Sequence, residues 1–579
     1  MKGRSFVVSA IILALGGFFA KAIGALYKIP LTNILGSSGI GLYYLIFPIY
    51  SLVITFCSSG LSVALATEVA KCRSVRNRYN EQKIFRIALV VSFILSAFFT
   101  IVILLLSRVL AEAQGNINAH LGYIAIAPAI ILSSIISTVR GYFQGIENMV
   151  PTTISLIVEQ IVKLTFGLIL AKALCNYGIQ YAVLGAIIGV SISEVVALVI
   201  IVINFVSYKG QLHYNYRNLN YRSRRNARRG KLKNYTKVYK CGYVGAMCFR
   251  CSKNSIRYST AEAAKRLLKV FIPTTLSSVI IPISTMIDSF VIINLLVHSG
   301  YTSHMSTILY GLWGGVVQSL ISLPTILIAG IATCIVPSLC GVVAGRQDGG
   351  LNRKITFFIK VTFVLALIMF ALIFVFAEDI LVFLYGDGLS QNVIDELFYA
   401  TKMLRFSSVS IIYYAFLQAF TAILQSVGKS QVPLLAMFVG VVVRILLTIG
   451  LVQVVNINIF GVIVANALFL ILADILLAIY IRIKDFVNSC DLKQIFQPLL
   501  ALLLSIFIMF AMHQGLSLII NYFFSMMISG LVGIVIYIFI VYFGVVFDIK
   551  EKREYFKFKQ KLHKNNCKKM SEAAKSTEK

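Results

Sequence analysis

Charge is scarce in this sequence, and acidic charge is scarcest: 13% of its 579 residues are charged, with 22 acids against 53 bases. Hydrophobic residues make up 59% and the mean hydropathy is +0.87, which excludes a soluble domain. Runs of about ten residues that alternate apolar and polar are missing, so a membrane β-barrel is excluded as well. The ten cysteines are scattered, mostly within or beside apolar stretches, and outline no disulfide framework. Gly428-Lys429-Ser430 resembles the end of a phosphate-binding loop but has Ile423 where the first glycine is needed, and it lacks the strand-loop-helix setting. No metal or nucleophile constellation stands out, and no ATPase domain is present. The expected protein is not an enzyme and needs no cofactor, so any energy it uses would come from a coupling ion (H⁺ or Na⁺) or from its ligand's own potential.

What the chain does have is apolar runs of about 20 residues, each enough to cross a hydrocarbon core of about 30 Å. Fourteen are read, at 5–28, 40–66, 85–106, 119–138, 152–174, 181–207, 267–296, 307–342, 355–377, 397–424, 431–454, 457–482, 496–514 and 521–547. They are called spans 1 to 14. Span 8 is long and is expected to be tilted or broken near Pro324. The fold class is therefore an all-α polytopic membrane protein. Its expected organisation is a six-helix bundle (1–207), a basic loop (208–266), a second six-helix bundle (267–485), two additional spans (486–547) and a basic tail (548–579).

The net charge of +31 is distributed by topology. With the N-terminus inside, the even-numbered connections carry nearly all the Lys and Arg. Residues 208–269 hold 17 against one acid, Glu262, and the tail after Asp548 adds 11. The odd-numbered connections are almost free of basic residues, and residues 378–396 are acidic. This positive-inside pattern puts both termini in the cytoplasm of a plasma-membrane protein. Lys2, Arg4 and the following apolar run resemble a signal peptide superficially, but Gly24 to Tyr27 continues the helix and the charge register needs no cleavage. In the basic loop, Cys241, Cys248, Cys251 and His213 fall short of a paired zinc arrangement. The Tyr and Arg of residues 214–225 are compatible with RNA, yet an anionic inner leaflet lies next to any such segment and is the expected partner rather than nucleic acid.

The chain also repeats itself. Arg140, Gln144, Pro151, Glu159 and Lys163 have an echo in Gln425, Pro433 and Arg444; Gly41-Leu42-Tyr43 and Gly60 of span 2 match Gly311-Leu312-Trp313 and Gly330 of span 8 at an offset of 270. Gly185 to Glu194 in span 6 stands beside Gly461 to Asp474 in span 12. Six spans lie on each side of the basic loop, so matched helices run the same way: a parallel repeat with a substrate path expected between the halves.

Polar residues turned to lipid cost several kcal/mol, roughly, so polar stripes at helical spacing should face a cavity or other helices. Span 1 carries Gly17, Lys21, Gly24 and Lys28; span 2 carries Tyr44, Pro48, Ser51, Thr55, Ser59 and Ser62. Span 7 carries Thr274, Ser278, Thr285 and Asp288, and span 8 carries Gly311, Gly315, Gln318, Ser322 and Thr325. The expected cavity residues are Lys21, Lys28, Ser51, Thr55, Asp288, Gln318 and Ser322. Lys21 is too deep to snorkel comfortably, whereas Lys28 is nearer the interface. Asp288 could balance a lysine, bind a proton or Na⁺, or pair with a neighbouring helix. Arg140, Gln144, Glu159, Lys163, Arg405 and Arg444 are expected outside the cavity in structural or gating roles. Glu159 and Lys163 have the i, i+4 spacing of an intrahelical pair, Arg444 keeps a cationic role open, and Arg140 and Arg405 lie toward helix ends.

The segment from Arg140 through Pro151-Thr152, with Glu159 to Lys163, resembles the stage V sporulation protein B branch of the polysaccharide flippases; so do Gly36 to Pro48 and Met286-Ile287-Asp288-Ser289. That branch is similar to the lipid II flippases of the multidrug, oligosaccharidyl-lipid and polysaccharide exporter superfamily. The resemblance covers most of residues 1–485 and is strongest before 165; the basic loop departs from it. It implies a flippase for an undecaprenyl-pyrophosphate-linked saccharide, a lipid II-like cell-wall or polysaccharide precursor, working by rocking of two six-helix bundles. It also implies that cations of span 1, here Lys21 and Lys28, attract the pyrophosphate. Spans 13 and 14 would hold the polyprenyl tail. The alternatives are a cation-coupled multidrug antiporter of the same superfamily, or a non-transporting scaffold for cell-wall or sporulation enzymes.

Overall fold

The computed structural model describes residues 2–74, 77–146, 148–228, 258–329, 348–386, 394–427, 429, 431–454, 458–483 and 492–543, all of them helical or in connections between helices. Thirteen described segments are long and apolar enough to cross a membrane, and the first of them, Gly16–Arg73, is 58 residues long. A straight helix of that length would measure about 87 Å at about 1.5 Å per residue, far more than one crossing needs. Its continuity is broken at Gly36, whose φ of 67° and ψ of −179° fall in a region open only to glycine. Span 1 is thus residues 2–35 and span 2 residues 37–74, which makes fourteen crossings.

The remaining spans are Arg78–Ala113, His120–Gly145, Val150–Leu174, Ile179–Arg228, Thr260–His298, Ser303–Ala329, Asp348–Val375, Glu396–Ser426, Gln431–Val452, Phe460–Ile483, Leu492–Ser517 and Tyr522–Phe543. A short helix, Ala377–Tyr385, lies between spans 9 and 10. Span 8 is irregular at Leu312–Val317, six residues of π-helix, upstream of the expected break at Pro324. Span 2 has a similar wide turn at Thr55–Ser59. Such turns leave a few carbonyls free of helical partners and shift the face that the helix presents. The helix of span 6 runs on to Arg228, so the first part of the basic segment 208–266 is helical; Cys241, Cys248 and Cys251, Gly330, Gly428, Ser430 and the tail 548–579 lie outside the described residues.

The largest buried apolar cluster joins both halves of the chain, with Tyr27, Ile40 and Tyr123 from one and Ile292, Trp313 and Tyr385 from the other. Spans 2 and 8 cross where Gly311 meets Gly41: a Cβ on Gly311 would stand 2.8 Å from the Gly41 Cα and 2.6 Å from the Ser37 carbonyl oxygen. The two repeat-matched glycines therefore let the backbones touch, as small residues do in membrane helix packing. Beside this crossing, one end of the molecule is closed by hydrogen bonds between the halves. Gln114 Nε2 donates to Ser289 Oγ (2.9 Å), Asn116 Nδ2 to Thr307 Oγ1 (3.2 Å), Asn294 Nδ2 to the Ala113 carbonyl (2.8 Å) and Ser303 Oγ to the Gly115 carbonyl (2.8 Å). Asn33 Nδ2 adds a bond to the Leu384 carbonyl (2.9 Å) in the short helix. Apart from Ser289, which lies inside span 7, these residues belong to odd-numbered connections or the helix ends beside them. At the other end, Thr274 Oγ1 reaches the Gly60 carbonyl (3.3 Å) and Lys83 Nζ the Tyr258 carbonyl (3.0 Å).

Spans 13 and 14 pack against span 9 through Leu367, Ala371, Phe376, Leu502, Met509 and Tyr537. They also engage the short helix: His513 Nε2 is 3.3 Å from Asp379 Oδ2, and Phe383 stacks on Phe523 with centroids 4.3 Å apart. Most large side chains on their outer faces, such as Phe507 and Leu503, are exposed, as a lipid-facing surface requires.

Candidate functional site

A cavity of about 340 Å³ lies between the halves. Span 2 contributes Tyr44, Phe47, Pro48 and Ser51, and span 7 contributes Ile281, Ser284, Thr285 and Asp288, each set at i, i+3, i+4, i+7 and hence on one helix face. Span 1 adds Lys28, and span 8 adds Tyr310, Trp313, Gly314 and Gln318. The other wall comes from spans 10, 11 and 12, through Tyr414, Leu417, Val441, Arg444, Asn466 and Phe469.

Of the residues expected to face the path, Lys28, Ser51, Asp288 and Gln318 line this cavity and Lys21, Thr55 and Ser322 do not. Lys21 is exposed, two turns before Lys28 on the same face of span 1. Thr55 opens the wide turn of span 2, where its carbonyl accepts from Ser59 Oγ at 2.6 Å. Ser322 Oγ turns back to the Ser319 carbonyl at 2.6 Å.

Pro48 explains one contact across the halves. It has no N–H, so the carbonyl of Tyr44, four residues earlier, loses its helical donor. The Tyr310 hydroxyl of span 8 donates to that carbonyl at 3.4 Å, while the Tyr44 hydroxyl stands 3.3 Å from Ser319 Oγ. The Lys28 ammonium lies 5.2 Å from the Tyr44 ring centroid, a cation–π distance.

The sequence pattern puts Arg444 outside the cavity in an architectural role; it lines the cavity instead. Its Nη2 bonds Asp288 Oδ2 and its Nη1 donates to Ser284 Oγ at 3.2 Å, with both side chains of the ion pair about 8% exposed. A guanidinium in an otherwise apolar helix needs such a partner, and Asp288 supplies it from the facing span. The charged lining residues are therefore Lys28, Arg444 and Asp288, leaving one net positive charge. Arg444 Nε and Asn466 Oδ1 are buried with no hydrogen-bond partner among the described residues. A concave wall with six aromatic side chains and two cations, one of them already neutralised, can accept an anionic group.

The matching region of the N-terminal half is built differently. Glu159 does not pair with Lys163 as its spacing predicts. Its Oε2 accepts from Arg140 Nη2 (2.8 Å) and its Oε1 from Gln160 Nε2 (3.0 Å), and Arg140 Nη2 also donates to Ser155 Oγ (2.7 Å). The forked guanidinium from span 4 satisfies the carboxylate and the serine together, which a single ammonium does less well. Lys163 instead sits 5.0 Å from the Phe47 ring centroid and 5.4 Å from that of Tyr27. Phe47 lines the cavity, so Lys163 is one aromatic layer behind it. Arg140 is thus part of a largely buried pair rather than an anchor at the membrane interface. Gln144 is half-buried in the last turns of span 4, and Arg405 is 3.6 Å from Glu378 with both side chains substantially exposed.

Comparison with known proteins agrees with this architecture. Residues 6–229 match the family model described as polysaccharide biosynthesis protein, and residues 273–449 match the model named MatE. Stage V sporulation protein B of Bacillus subtilis (strain 168) is 23% identical over 498 residues, covering 84% of this chain and 87% of that protein. Lipid II flippase MurJ of the same organism is 23% identical over 472 residues, 79% of each. Among solved structures, lipid II flippase MurJ in an inward closed conformation superposes with a TM-score of 0.64 at 14% identity, over 92% of this chain and 98% of that one. An inward-facing multidrug-resistance transporter of the MATE family superposes with a TM-score of 0.62 at 16% identity, over 80% and 94%. Two family models over different parts of the chain, distant sequence relatives over most of its length and a shared fold mark it as a multi-pass membrane protein with the fold of the MATE and MurJ transporters, distantly related to stage V sporulation protein B and lipid II flippase MurJ.

Proposed function

We propose that this transporter moves an undecaprenyl-pyrophosphate-linked saccharide, a lipid II-like cell-wall or polysaccharide precursor, to the outer leaflet by alternating access. The observation that carries this reading is the meeting of Lys28 and Arg444, from opposite halves, in one cavity with a single carboxylate among its described lining residues. A diphosphate brings about two negative charges, and an inside-negative potential favours moving each of them outward by about 2.3 kcal/mol per 100 mV. The distant relationship to proteins named lipid II flippase and stage V sporulation protein B supports the same substrate class.

With both termini cytoplasmic, as the basic connections imply, the hydrogen-bonded end is external and the cavity lies beneath a closed outer gate. Exposed Lys21 then stands on the cytoplasmic approach, where it draws the pyrophosphate toward Lys28. At about 340 Å³ the cavity is near the small end of the usual range for ligand sites, about 300–1,000 Å³, so the loaded state must be wider. The polyprenyl tail stays in lipid against spans 13 and 14, and the basic segments rest on anionic inner-leaflet lipids.

A cation-coupled multidrug antiporter of the same superfamily would need a carboxylate free to bind its drug or ion, and Asp288, the one acidic residue among those lining the cavity, is engaged by Arg444. The discriminating experiment is reconstitution in vesicles with fluorescent lipid II and related lipid-linked sugars, comparing the wild type with Lys21→Ala and Lys28→Ala. Translocation by the wild type, reduced most in Lys28→Ala, is expected. If the wild type moves none of these lipids but exports organic cations against a proton or Na⁺ gradient, the flippase reading fails. If it moves neither, a scaffold role for cell-wall or sporulation enzymes becomes the better account.

A further inference from the structure

We infer that Asp288 is an exchangeable counter-ion: it holds Arg444 while the cavity is empty, yields it to the substrate's phosphate on loading, and reclaims it to expel the product. The inference rests on the flippase reading and adds a release step to it.

Asp288 is the one acidic side chain among those lining the cavity, and Arg444 is its ion-pair partner. The bond does not exhaust the guanidinium, which has five N–H donors. One donor on Nη2 goes to Asp288 and one on Nη1 to Ser284, while Nε is buried without a partner among the described residues. Arg444 therefore presents unused donors to a phosphate without first letting go of span 7. Ser284 and Asp288 are four residues apart on one face of span 7, so the guanidinium is held by a cradle on the helix facing its own. A phosphate brought to Arg444 comes to lie beside the Asp288 carboxylate, and two anions then compete for one cation. Asp288 is 6% exposed, and among the described residues no hydrogen bond other than that from Arg444 is seen at its carboxylate. Once displaced it is a buried, unpaired charge, which is unfavourable and drives the pair to re-form. Lys28 holds the substrate from the opposite half and forms no ion pair among the described residues, so the two cations differ in kind: one attracts, the other can be taken back.

This arrangement fixes the sign of a mutant effect. Removing the competing charge should tighten anion binding and slow release, whereas damage to the site would weaken both binding and transport. The test uses the full-length purified protein, with farnesyl diphosphate as a soluble binding probe and fluorescent lipid II in vesicles for turnover. Asp288→Asn is expected to bind the probe about ten-fold tighter, the effect of a close charge pair at its lower limit, and to lose about ten-fold in maximal turnover. Asp288→Glu, which keeps the charge, should restore both toward wild type. Because Asp288→Asn leaves Arg444 without its counter-charge and can impair folding, Ser284→Ala provides a second variant: it loosens the cradle but keeps the competing anion, so binding should not tighten. Weaker binding by Asp288→Asn, a parallel fall of affinity and turnover, or tightening in Ser284→Ala as well would overturn the counter-ion role while leaving the flippase reading intact. A wild type that neither binds the probe nor moves lipid II overturns both.

Discussion

Two cations occupy matched places in the two halves, Lys163 on span 5 and Arg444 on span 11, and only Arg444 reaches the cavity. The same offset of 281 residues relates them as relates Gln144 to Gln425. In the C-terminal half the facing carboxylate, Asp288, belongs to the neighbouring helix, span 7, and it holds the guanidinium at the cavity wall. In the N-terminal half the nearby carboxylate, Glu159, is taken by Arg140, and the cation is left behind the Phe47 ring. The cavity is correspondingly lopsided, drawing on spans 7, 8, 10, 11 and 12 from one half but only on spans 1 and 2 from the other. A repeat preserves where a charge is placed along the chain. What the charge does depends on which helix offers its partner.

The comparison can be broken most directly by truncating both cations. Arg444→Ala is expected to reduce lipid-linked substrate movement by more than about 100-fold and, by stranding Asp288, to cost about 3–5 kcal/mol of stability. Lys163→Ala should reduce transport by less than about ten-fold, since only cation–π contacts of about 0.5–2 kcal/mol are lost. Equal losses in vesicle assays normalised to folded protein would show that the halves contribute alike. Next in size is Arg140→Ala, which leaves Glu159 largely buried and unpaired. Thermal unfolding in detergent should register about 3 kcal/mol of destabilisation, while transport per folded molecule stays within about two-fold.

The smallest effect concerns the helices that have no counterpart in the repeat. Burial pushes the Asp379 carboxyl above the ordinary carboxylate range, with His513 opposing the shift. An acid whose folded pKa is raised contributes its stability in full below the unfolded value, about 3.9, and loses it as pH rises through the folded one. The docking of spans 13 and 14 on the short helix is therefore expected to loosen gradually above about pH 4. Hydrogen exchange in residues 510–530 should show this slope in the wild type and a flatter one in Asp379→Asn. An identical slope in both proteins would assign the pH response elsewhere.

Much of this fold was legible because membrane spans announce themselves by length and apolarity, and the crossings found follow the apolar runs closely. The break at Gly36 was less visible, since Gly36 to Ile40 reads as an ordinary small-residue loop rather than as one special backbone angle. Within the cavity, the polar stripes of spans 2 and 7 pointed to Ser51 and Asp288, and the basic face of span 1 to Lys28. Spans 10 to 12 were missed for a physical reason: Tyr414, Leu417, Val441 and Phe469 are apolar or aromatic, and such residues look the same facing a cavity, a neighbour or lipid. Arg444 stands out in the sequence, but its place in the repeat suggests architecture. The signal that locates it is electrostatic rather than periodic, because a lone arginine in the apolar run 431–454 and a lone aspartate in span 7 each demand a partner.

The Gly41–Gly311 crossing carries a mechanical consequence. Main chain meets main chain there, with the Thr307 methyl the side-chain group beside Gly41, so few rotamers need to exchange for the two helices to turn on each other, and the contact can serve as a bearing set close to one end of the molecule. The rest of span 2 then serves as a lever arm. From Gly41 to Arg73 is about 48 Å along a helix at about 1.5 Å per residue, and a turn of about 10° at the bearing sweeps the far tip through about 8 Å. A bulky residue at either glycine would seize the bearing, and the long arm beyond it would have nothing to turn on.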